Sequence, residues 1–396
     1  MTILKASAGG YRIPITRPWL PPLAQYTRLL ERIWSSRMLS NFGPLAVELE
    51  EQSRSYIGSE FLLSASSGDV AMILAVRALG LAPGSRVIVP SFTFNSTVNA
   101  ILWNGLRPVL TDIDPETLNL DPARVRERMD GAGAIVATHV FGNPADVDAL
   151  NELAAEAGIP VLFDAAHGYG SLHDGRHVGT FGSLEVFSLS GTKPVTSGEG
   201  GLVVTNDPEL AEKIRYLRAY GFQGDYVSRY VGLNGKLSEM HAALGLLTMA
   251  RIEDVLAIRQ RHVAAYRQRL GSLPGLSFQR VAPGDRSTFK DLAVLFADMT
   301  TRNRVETALT AAGIQTKRYF HPCHTMPAYR AFADARLPVT ESVYARILCL
   351  PLFEELTDDE RDLVCSIVEK AMARPSATRS RRRERLDVRH LPIHAA

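Results

Sequence analysis

A lysine stands between two clusters of glycine and hydroxyl residues, in Ser188-Leu-Ser-Gly-Thr-Lys193 followed by Ser197-Gly-Glu-Gly-Gly201. An ordinary lysine lies on a solvated face, where nothing suppresses the charge of its amine. A lysine that forms a Schiff base must be neutral, so it needs desolvation or a cationic neighbour that lowers its pKa. Lys193 is therefore the candidate for a reactive amine.

A short loop, Ser66-Ser-Gly-Asp69, stands directly before a helix that we predict to begin near Val70. Free backbone amides at the start of a helix bind phosphate well, and a glycine lets the ligand approach closely. The amides of Gly68 and Asp69 are therefore candidates for a phosphate cradle. Taken alone, such a loop is more often a simple capped turn.

Asp164 ends an apolar predicted strand in Asp164-Ala-Ala-His167, and Phe94 follows a strand that ends at Pro90. A lone buried carboxylate is costly, so Asp164 must be solvated, paired or used as a helix N-cap. Phe94 is either a core aromatic or a flat surface against a ring. An acid for a ring nitrogen, a phosphate cradle, a stacking face and a neutral lysine are together what pyridoxal phosphate requires.

Short β-rich runs alternate with helical patterns in the first half of the chain, as βαβ units do. Several runs are almost entirely apolar, which suits strands of a parallel sheet that is covered on both faces. Open α/β sheets bind ligands at the carboxyl ends of their strands, which is where the candidate residues stand. The predicted strands are 86–90, 108–112, 134–138, 160–164, 184–188 and 201–205, and the predicted helices are 70–79, 240–270 (one or two) and 302–312.

These elements predict an α/β protein with a large, mostly parallel sheet domain and a smaller C-terminal α+β domain. We place the large domain and an N-terminal arm at 1–250, the small domain at 251–373 and an arginine-rich tail at 374–396. The tail carries seven arginines against Glu384 and Asp387, hence +5, so the rest of a chain of net charge +2 carries −3. A nucleic-acid or membrane contact of this tail is one interpretation. We prefer a solvated, disordered extension and expect neither partner.

The composition, with 46% hydrophobic and 22% charged residues, is that of a globular protein. The cysteines, Cys323, Cys349 and Cys365, are odd in number and lack metal-ligand spacing, so we expect no disulfide framework and no metal site. No apolar run reaches the roughly 18 residues of a membrane helix, and the N-terminus lacks the apolar core of a signal peptide. A cytoplasmic protein is therefore expected.

Two nucleotide-binding fingerprints are missing from the sequence. No Gly-x-Gly-x-x-Gly follows a predicted strand, and Tyr230 stands where a P-loop ending in Gly235-Lys236 needs glycine. These absences argue against a Rossmann dehydrogenase and a P-loop NTPase.

Several further motifs follow one another in a fixed order along the chain. They are Arg17-Pro-Trp-Leu, Asn41-Phe-Gly-Pro, Pro90-Ser-Phe-Thr-Phe-Asn-Ser-Thr97, Asp112-Ile-Asp-Pro-Glu-Thr, Asp164-Ala-Ala-His, Thr192-Lys193 with Gly198-Glu-Gly-Gly, Asn234-Gly-Lys-Leu-Ser-Glu-Met-His-Ala-Ala-Leu-Gly245 and Tyr319-Phe-His-Pro-Cys-His324. With them the chain resembles the DegT/DnrJ/EryC1/StrS family of sugar aminotransferases, from about residue 13 to residue 371. The resemblance implies fold type I, the aspartate aminotransferase-like fold, with pyridoxal 5'-phosphate as cofactor.

The resemblance also implies roles for individual residues. Lys193 would bind the cofactor covalently and later move a proton between cofactor and substrate, and Asp164 would pair with the pyridine nitrogen. Asn234 would reach the phosphate of the neighbouring subunit's cofactor, so a homodimer with shared sites is expected. The other implied contacts are His167 beside the phenolic oxygen, Phe94 on the ring, Ser188 with the amides of Gly68 and Asp69 on the phosphate, and Tyr319 and His324 near the sugar.

Two positions depart from what is common in the family. Many relatives have threonine in place of Asp69, and a carboxylate beside a phosphate is unfavourable. We therefore expect the side chain of Asp69 to turn away and only its amide to be used. Pro194 follows the lysine where asparagine or alanine is common; it fixes φ and removes a donor, and we have no functional account of it.

The implied reaction moves an amino group from L-glutamate to a nucleotide-linked keto sugar. The expected sugar is dTDP-4-keto-6-deoxyglucose, on the basis of His167, Asn234-Gly-Lys and the Tyr319-Phe-x-Pro-x-His324 pattern. A keto-cyclitol aminotransferase is one alternative. A sugar dehydratase that uses the pyridoxal or pyridoxamine form is a second, but relatives with that chemistry have histidine in place of Lys193. A regulator that binds nucleic acid through the tail is a third, and no helix-turn-helix pattern supports it.

Overall fold

A seven-stranded mixed sheet forms the larger part of the fold. The computed structural model describes residues 10–373, so the predicted tail lies outside the described residues. The strands, with a small hairpin formed by β6 and β7, are β1 Phe61–Ala65, β2 Arg86–Pro90, β3 Arg107–Thr111, β4 Ala132–Thr138, β5 Val161–Asp164, β6 Leu172–His173, β7 Arg176–His177, β8 Leu184–Ser188 and β9 Gly201–Thr205. The order in the large sheet is β1-β9-β8-β5-β4-β2-β3, with β9 antiparallel to both neighbours and the remaining pairs parallel.

The prediction of a large, mostly parallel sheet is confirmed. Predicted strands 86–90, 184–188 and 201–205 coincide with β2, β8 and β9, and the other predicted strands differ by one or two residues at their ends. Every residue of β5, β8 and β9 is buried, which explains their apolar sequences. The antiparallel direction of β9 does not follow from the sequence pattern. It brings the connection between β8 and β9, which carries Lys193, to the sheet edge where β5 and β8 end.

All three predicted helices begin earlier in the structure than in the sequence pattern, because each is capped by a side chain that precedes the apolar residues. Ser67 Oγ accepts a hydrogen bond from the amide of Val70 at 3.1 Å, and the helix begins at Gly68. The predicted segment 240–270 forms two helices rather than one. The α-helices are Leu23–Ser36, Pro44–Ile57, Gly68–Ala78, Asn95–Trp103, Pro122–Arg126, Val147–Ala157, Pro208–Leu217, Glu239–Met249, Ile252–Leu270, Met299–Ala311, Pro338–Arg346 and Asp358–Ala373. Within residues 10–373, no helix is long and apolar enough to span a bilayer.

A three-stranded antiparallel sheet forms the C-terminal part, with β10 Leu276–Phe278, β11 Leu292–Phe296 and β12 Ile347–Leu350 in that order. Its core also takes in Ile13 from the N-terminal segment. Cys323, Tyr329 and Leu337 pack instead into the core of the large sheet. The chain therefore returns to the large sheet after β11, and the domain boundary near residue 250 stays a prediction.

The carboxylate of Glu239 fastens the N-terminal segment to the fold. It is 1% exposed, and its two oxygens each accept a hydrogen bond of 2.8 Å, from the amides of Leu45 and Ala46. Gly43, which precedes this helix, offers no side chain for a cap, and a Cβ there would lie 2.6 Å from Cδ of Glu239. Glu239 therefore supplies the cap that the helix Pro44–Ile57 lacks.

We expect Glu239→Ala to lower the free energy of unfolding by about 1.5–3 kcal/mol, because two buried amides lose a charged acceptor. The matched control is Glu48→Ala, which removes a surface pair with Arg32 (2.7 Å) and should cost less than about 1 kcal/mol. Urea unfolding at one protein concentration compares the two. Equal losses in both variants would contradict the capping role.

Candidate active site

The connection between β8 and β9 presents Lys193 at the edge of the large sheet. The backbone amide of Lys193 donates to the carbonyl of Ser190 at 3.0 Å, which forms a turn at the lysine. Burial, assisted by the charge of Lys290, lowers the pKa of Lys193 to about 7. A large fraction of this amine is therefore unprotonated near neutral pH, as a nucleophilic lysine requires.

Asp164 ends β5 beside this connection and is 4% exposed. Its Oδ2 accepts a hydrogen bond from Thr97 Oγ1 at 2.6 Å, and its Oδ1 accepts one from the amide of Ala166 at 3.0 Å. Burial raises the pKa of Asp164, whereas both hydrogen bonds act in the opposite direction. The carboxylate is therefore held by donors in an otherwise apolar setting.

A chain of three threonine hydroxyls supports Asp164, and sequence reasoning missed it. Thr93 Oγ1 lies 2.9 Å from Thr97 Oγ1 and 2.9 Å from Thr138 Oγ1. All three side chains are buried. The hydroxyls can orient in one direction, so that Thr97 donates to the carboxylate and is itself a hydrogen-bond acceptor. Thr93 and Thr97 belong to the quoted motif 90–97, which was the available signal.

The structure brings Gly68 and Ser188 together at the start of the helix Gly68–Ala78. A Cβ at Gly68 would lie 2.8 Å from Cβ of Ser188 and 2.9 Å from its Oγ, so the glycine is needed there. The side chain of Asp69 is exposed in the first helical turn. The free amides of this turn and the hydroxyl of Ser188 are suited to an anion.

An aromatic group lies on the other side of the site. Phe94 is 54% exposed, and its ring centroid is 6.4 Å from that of Phe320. His167 stacks on Phe320 and Phe141, at centroid distances of 6.0 and 6.3 Å. Burial lowers the pKa of His167 well below its ordinary value, so the imidazole is neutral. Within residues 10–373, its buried Nδ1 has no hydrogen-bond partner.

The remaining predicted residues lie in three settings. Tyr319 adjoins Phe320, with ring centroids 5.3 Å apart, and its hydroxyl accepts a hydrogen bond from Lys317 Nζ at 2.9 Å. His324 is 9% exposed, and its Nδ1 lies 2.7 Å from Ser91 Oγ. Asn234 is exposed and pairs through its backbone with Ala219.

Comparison with known proteins agrees with this geometry. Residues 24–369 match the DegT/DnrJ/EryC1/StrS aminotransferase family. The chain belongs to this family. It is accordingly a pyridoxal-phosphate-dependent aminotransferase, and the sequence-based predictions of family, fold class, enzyme class and cofactor are confirmed.

Relatives align over almost the whole of this aminotransferase. It is 34% identical to GDP-perosamine synthase of Caulobacter vibrioides, over 84% of this chain and 92% of the relative. It is 32% identical to dTDP-4-amino-4,6-dideoxy-D-glucose transaminase of Shigella dysenteriae, over 90% of this chain and 98% of the relative. Among solved structures, DesI in the presence of its TDP-sugar product superimposes with a TM-score of 0.87 at 36% identity, covering 93% and 94% of the two chains.

The residues present fit the cofactor of this aminotransferase. The space that a Cβ at Gly68 would fill adjoins a serine hydroxyl and free amides, as a phosphate requires. The buried, unpartnered Nδ1 of His167 is suited to a polar atom of the ring. The amine of Lys193, with its lowered pKa, is suited to the aldehyde of the cofactor. The buried carboxylate of Asp164 is suited to the pyridinium nitrogen.

We expect Thr97→Val, which keeps the side-chain shape, to weaken the binding of pyridoxal phosphate by roughly 10- to 100-fold. Asp164 would lose a charged hydrogen bond, and its pKa would rise, so the loss should grow as the pH falls. Equilibrium titration of the cofactor-free chain measures the affinity. Thr97→Ser keeps the donor and is the matched control; wild-type affinity in the valine variant would exclude a role for this hydroxyl.

Proposed function

We propose that this aminotransferase moves the amino group of L-glutamate to a nucleotide-linked keto sugar, with dTDP-4-keto-6-deoxyglucose as substrate. The observation that carries the proposal is the amine of Lys193, whose pKa burial lowers to about 7, together with the hydrogen-bonded carboxylate of Asp164. The names of the relatives support a sugar substrate, because they include a dTDP-amino-sugar transaminase and a GDP-perosamine synthase.

Lys193 and Asp164 would carry the proton chemistry. Pyridoxal phosphate, when bound, supplies an aldehyde for the amine and a ring that withdraws electrons from the substrate carbon. Asp164 would keep the ring nitrogen protonated, since Thr97 and the amide of Ala166 favour its ionised form. Once released from the cofactor, the amine of Lys193 would accept the proton from the substrate carbon and return it to the neighbouring atom.

The other predicted residues would orient the cofactor. The exposed face of Phe94 would stack on the ring, and the neutral imidazole of His167 would contact the phenolic oxygen. Ser188 and the amides of Gly68 and Asp69 would bind the phosphate. The exposed position of the Asp69 carboxylate supports the use of its amide alone.

The substrate side of the site would be formed by the segment that contains Tyr319 and His324. Tyr319 has an accessible face beside Phe320 and would contact the sugar. His324 is buried against Ser91, and its Nε2 lies 3.4 Å from Oε1 of Glu341. These contacts support a role of His324 in holding the segment near the sugar.

A homodimer with shared sites is part of the proposal. Asn234 is exposed and would reach the phosphate of a partner's cofactor. Large apolar side chains are exposed nearby in the chain and on the N-terminal helix, among them Val231 (81%), Leu23 (76%) and Trp34 (67%). Surfaces of this kind are typical of interfaces between subunits. The three buried free thiols support a reducing cytoplasm.

The first test incubates the cofactor-loaded chain with L-glutamate and dTDP-4-keto-6-deoxyglucose. We expect an amino sugar and 2-oxoglutarate in equal amounts, identified by mass spectrometry and NMR. Lys193→Ala should lower the rate at least about 100-fold, because the proton carrier is lost. Lys213→Ala, on the helix Pro208–Leu217, is the control and should keep the rate.

Parallel reactions with a GDP-linked keto sugar and a keto-cyclitol separate the alternatives. Amination of only one of these would replace the proposed substrate and keep the transaminase. Loss of a sugar hydroxyl without amination would instead indicate the dehydratase. Failure to release 2-oxoglutarate from glutamate would exclude glutamate as the donor.

Mixing two impaired variants tests the shared sites. Lys193→Ala lacks the amine, and Asn234→Asp places a negative charge beside the partner's phosphate. After unfolding and refolding together, half of the dimers are mixed and each has one intact site, so about a quarter of the wild-type activity should return. Separate refolding of each variant is the control. No recovery in mixtures whose mixed dimers are detected by native mass spectrometry would exclude sharing through Asn234.

A further inference from the structure

Lys290 and Asp291 form a buried ion pair directly before β11, and neither residue has a role in the proposed function. Lys290 is 4% and Asp291 5% exposed, and Nζ lies 3.1 and 3.0 Å from the two carboxylate oxygens. Removing two charges from water costs free energy that their attraction often fails to recover. Stabilisation of the fold is therefore a weak reason for this pair, and its surroundings indicate another role.

The surroundings of Lys290 are those of the active site. Its backbone amide donates to the carbonyl of Phe141 at 2.9 Å, and the ring of Phe141 stacks on His167. Thr288 Oγ1 donates to the carbonyl of His167 at 2.6 Å. Nζ of Lys290 lies 5.7 Å from the centroid of the Tyr319 ring. The segment that carries Lys290 thus adjoins residues on the cofactor side, and its ammonium group faces the Tyr319 ring.

The segment that carries Lys290 is held firmly in place. Arg259 is 2% exposed, and its Nη1 donates to the carbonyls of Phe289 and Lys290 at 3.0 and 3.3 Å. Its Nε donates to Glu354 at 2.7 Å, which fixes the guanidinium. A Cβ at Gly142 would lie 2.7 Å from the carbonyl oxygen of His167, so the facing loop is packed without spare room. The charge of Lys290 therefore has a defined position.

We propose that Lys290 is a positioning residue that keeps the amine of Lys193 in its free-base form by holding a fixed positive charge near it. Asp291 holds the ammonium group in position and limits the strength of its field. The inference rests on the proposed role of Lys193 as the amine that binds the cofactor.

The groups that face Lys193 give the direction of each effect. After burial, the charge of Lys290 is the next cause that lowers the pKa of Lys193. The carboxylates of Asp291, Asp164 and Asp69 act in the opposite direction. A change at Lys290 and a change at Asp291 must therefore move the protonation of Lys193 in opposite directions.

The groups that face Lys290 leave its charge in place. Tyr319 and Cys349 have raised pKa values because they are buried, so both are neutral near neutral pH. His167 is neutral as well. Lys317 faces Lys290, and burial followed by the charge of Lys290 lowers the pKa of Lys317. Asp291 is thus the counter-charge in direct contact with Lys290.

The fixed charge of Lys290 favours the neutral amine of Lys193 even when burial of the amine is incomplete. Desolvation of an amine diminishes whenever water enters the pocket, as it must when substrates exchange. The entering water also screens a nearby positive charge, but the charge keeps its sign and position, so it still favours the neutral amine in the open pocket. Lys290 would therefore keep the amine of Lys193 free at the stage of the reaction in which it is released from the cofactor.

The test measures the protonation of Lys193 directly. The full chain, freed of cofactor, is treated with acetic anhydride over a range of pH, and acetylation of Lys193 is quantified by mass spectrometry. Lys290→Met should move the midpoint of labelling upward by about one pH unit, and Asp291→Asn should move it downward. Lys290→Arg should keep the wild-type midpoint. The pH dependence of the visible absorbance of the cofactor-loaded variants should move in the same directions.

Two further variants separate an electrostatic effect from damage to the fold. The double variant Lys290→Met with Asp291→Asn leaves no buried charge unpaired, and its midpoint should lie between those of the single variants. Lys317→Met removes another lysine near Tyr319 and should leave the midpoint unchanged. Shifts in the same direction for Lys290→Met and Asp291→Asn, or an equal shift for Lys317→Met, would overturn the proposal. Because labelling uses no substrate, these outcomes do not depend on the sugar or the donor.

Discussion

Burial acts on both the amine of Lys193 and the carboxylate of Asp164, which carry opposite charges when ionised. The rest of the site depends on which of the two is kept ionised. Desolvation lowers the pKa of Lys193 and raises that of Asp164, so burial alone would neutralise both. The chemistry needs a neutral amine but an ionised acid. The structure separates the two by hydrogen bonding, since Thr97 and the amide of Ala166 donate to the carboxylate. For the lysine, the nearby ammonium of Lys290 adds to the effect of burial.

The sheet topology makes this separation possible within a small volume. Parallel strands β4, β5 and β8 end at the same edge, and the antiparallel β9 returns the chain past that edge. The packing around this return is tight, because a Cβ at Gly201 would lie 2.5 Å from the carbonyl oxygen of Ser67. Glycine at 201 lets β9 begin directly beneath the first turn of the helix Gly68–Ala78. The first turn of this helix and the connection that carries Lys193 therefore both adjoin the start of β9.

The apolar runs of the sequence marked the strands correctly, and the candidate residues lie next to those strands. Asp164 ends β5, Gly68 begins a helix and Lys193 lies in the connection after β8. The roles of these residues stay predictions. The threonine chain escaped notice because Thr138 lies far along the sequence from the motif that contains Thr97, and only the adjacency of β2 and β4 brings them together. Helix starts were placed late, because capping residues precede the apolar pattern. The proposed homodimer depends on a second chain, and contacts between chains leave no periodic signal in one sequence.

The Lys290–Asp291 pair did leave a signal, since two adjacent charges directly precede the apolar strand β11. Charges at that position are solvated in most proteins, so the sequence alone favours a solvent-exposed pair of side chains. Their burial becomes visible only when Phe141 and Tyr319 are placed around them.

The contacts of Tyr319 and His324 also differ in kind. The Nδ1 of His324 is held by Ser91, whereas Tyr319 is half-buried, so in the proposed function Tyr319 has more freedom than His324 to contact different substrates. The Tyr319 ring, which faces the ammonium of Lys290, would therefore link the proposed substrate contact to the proposed control of the amine of Lys193.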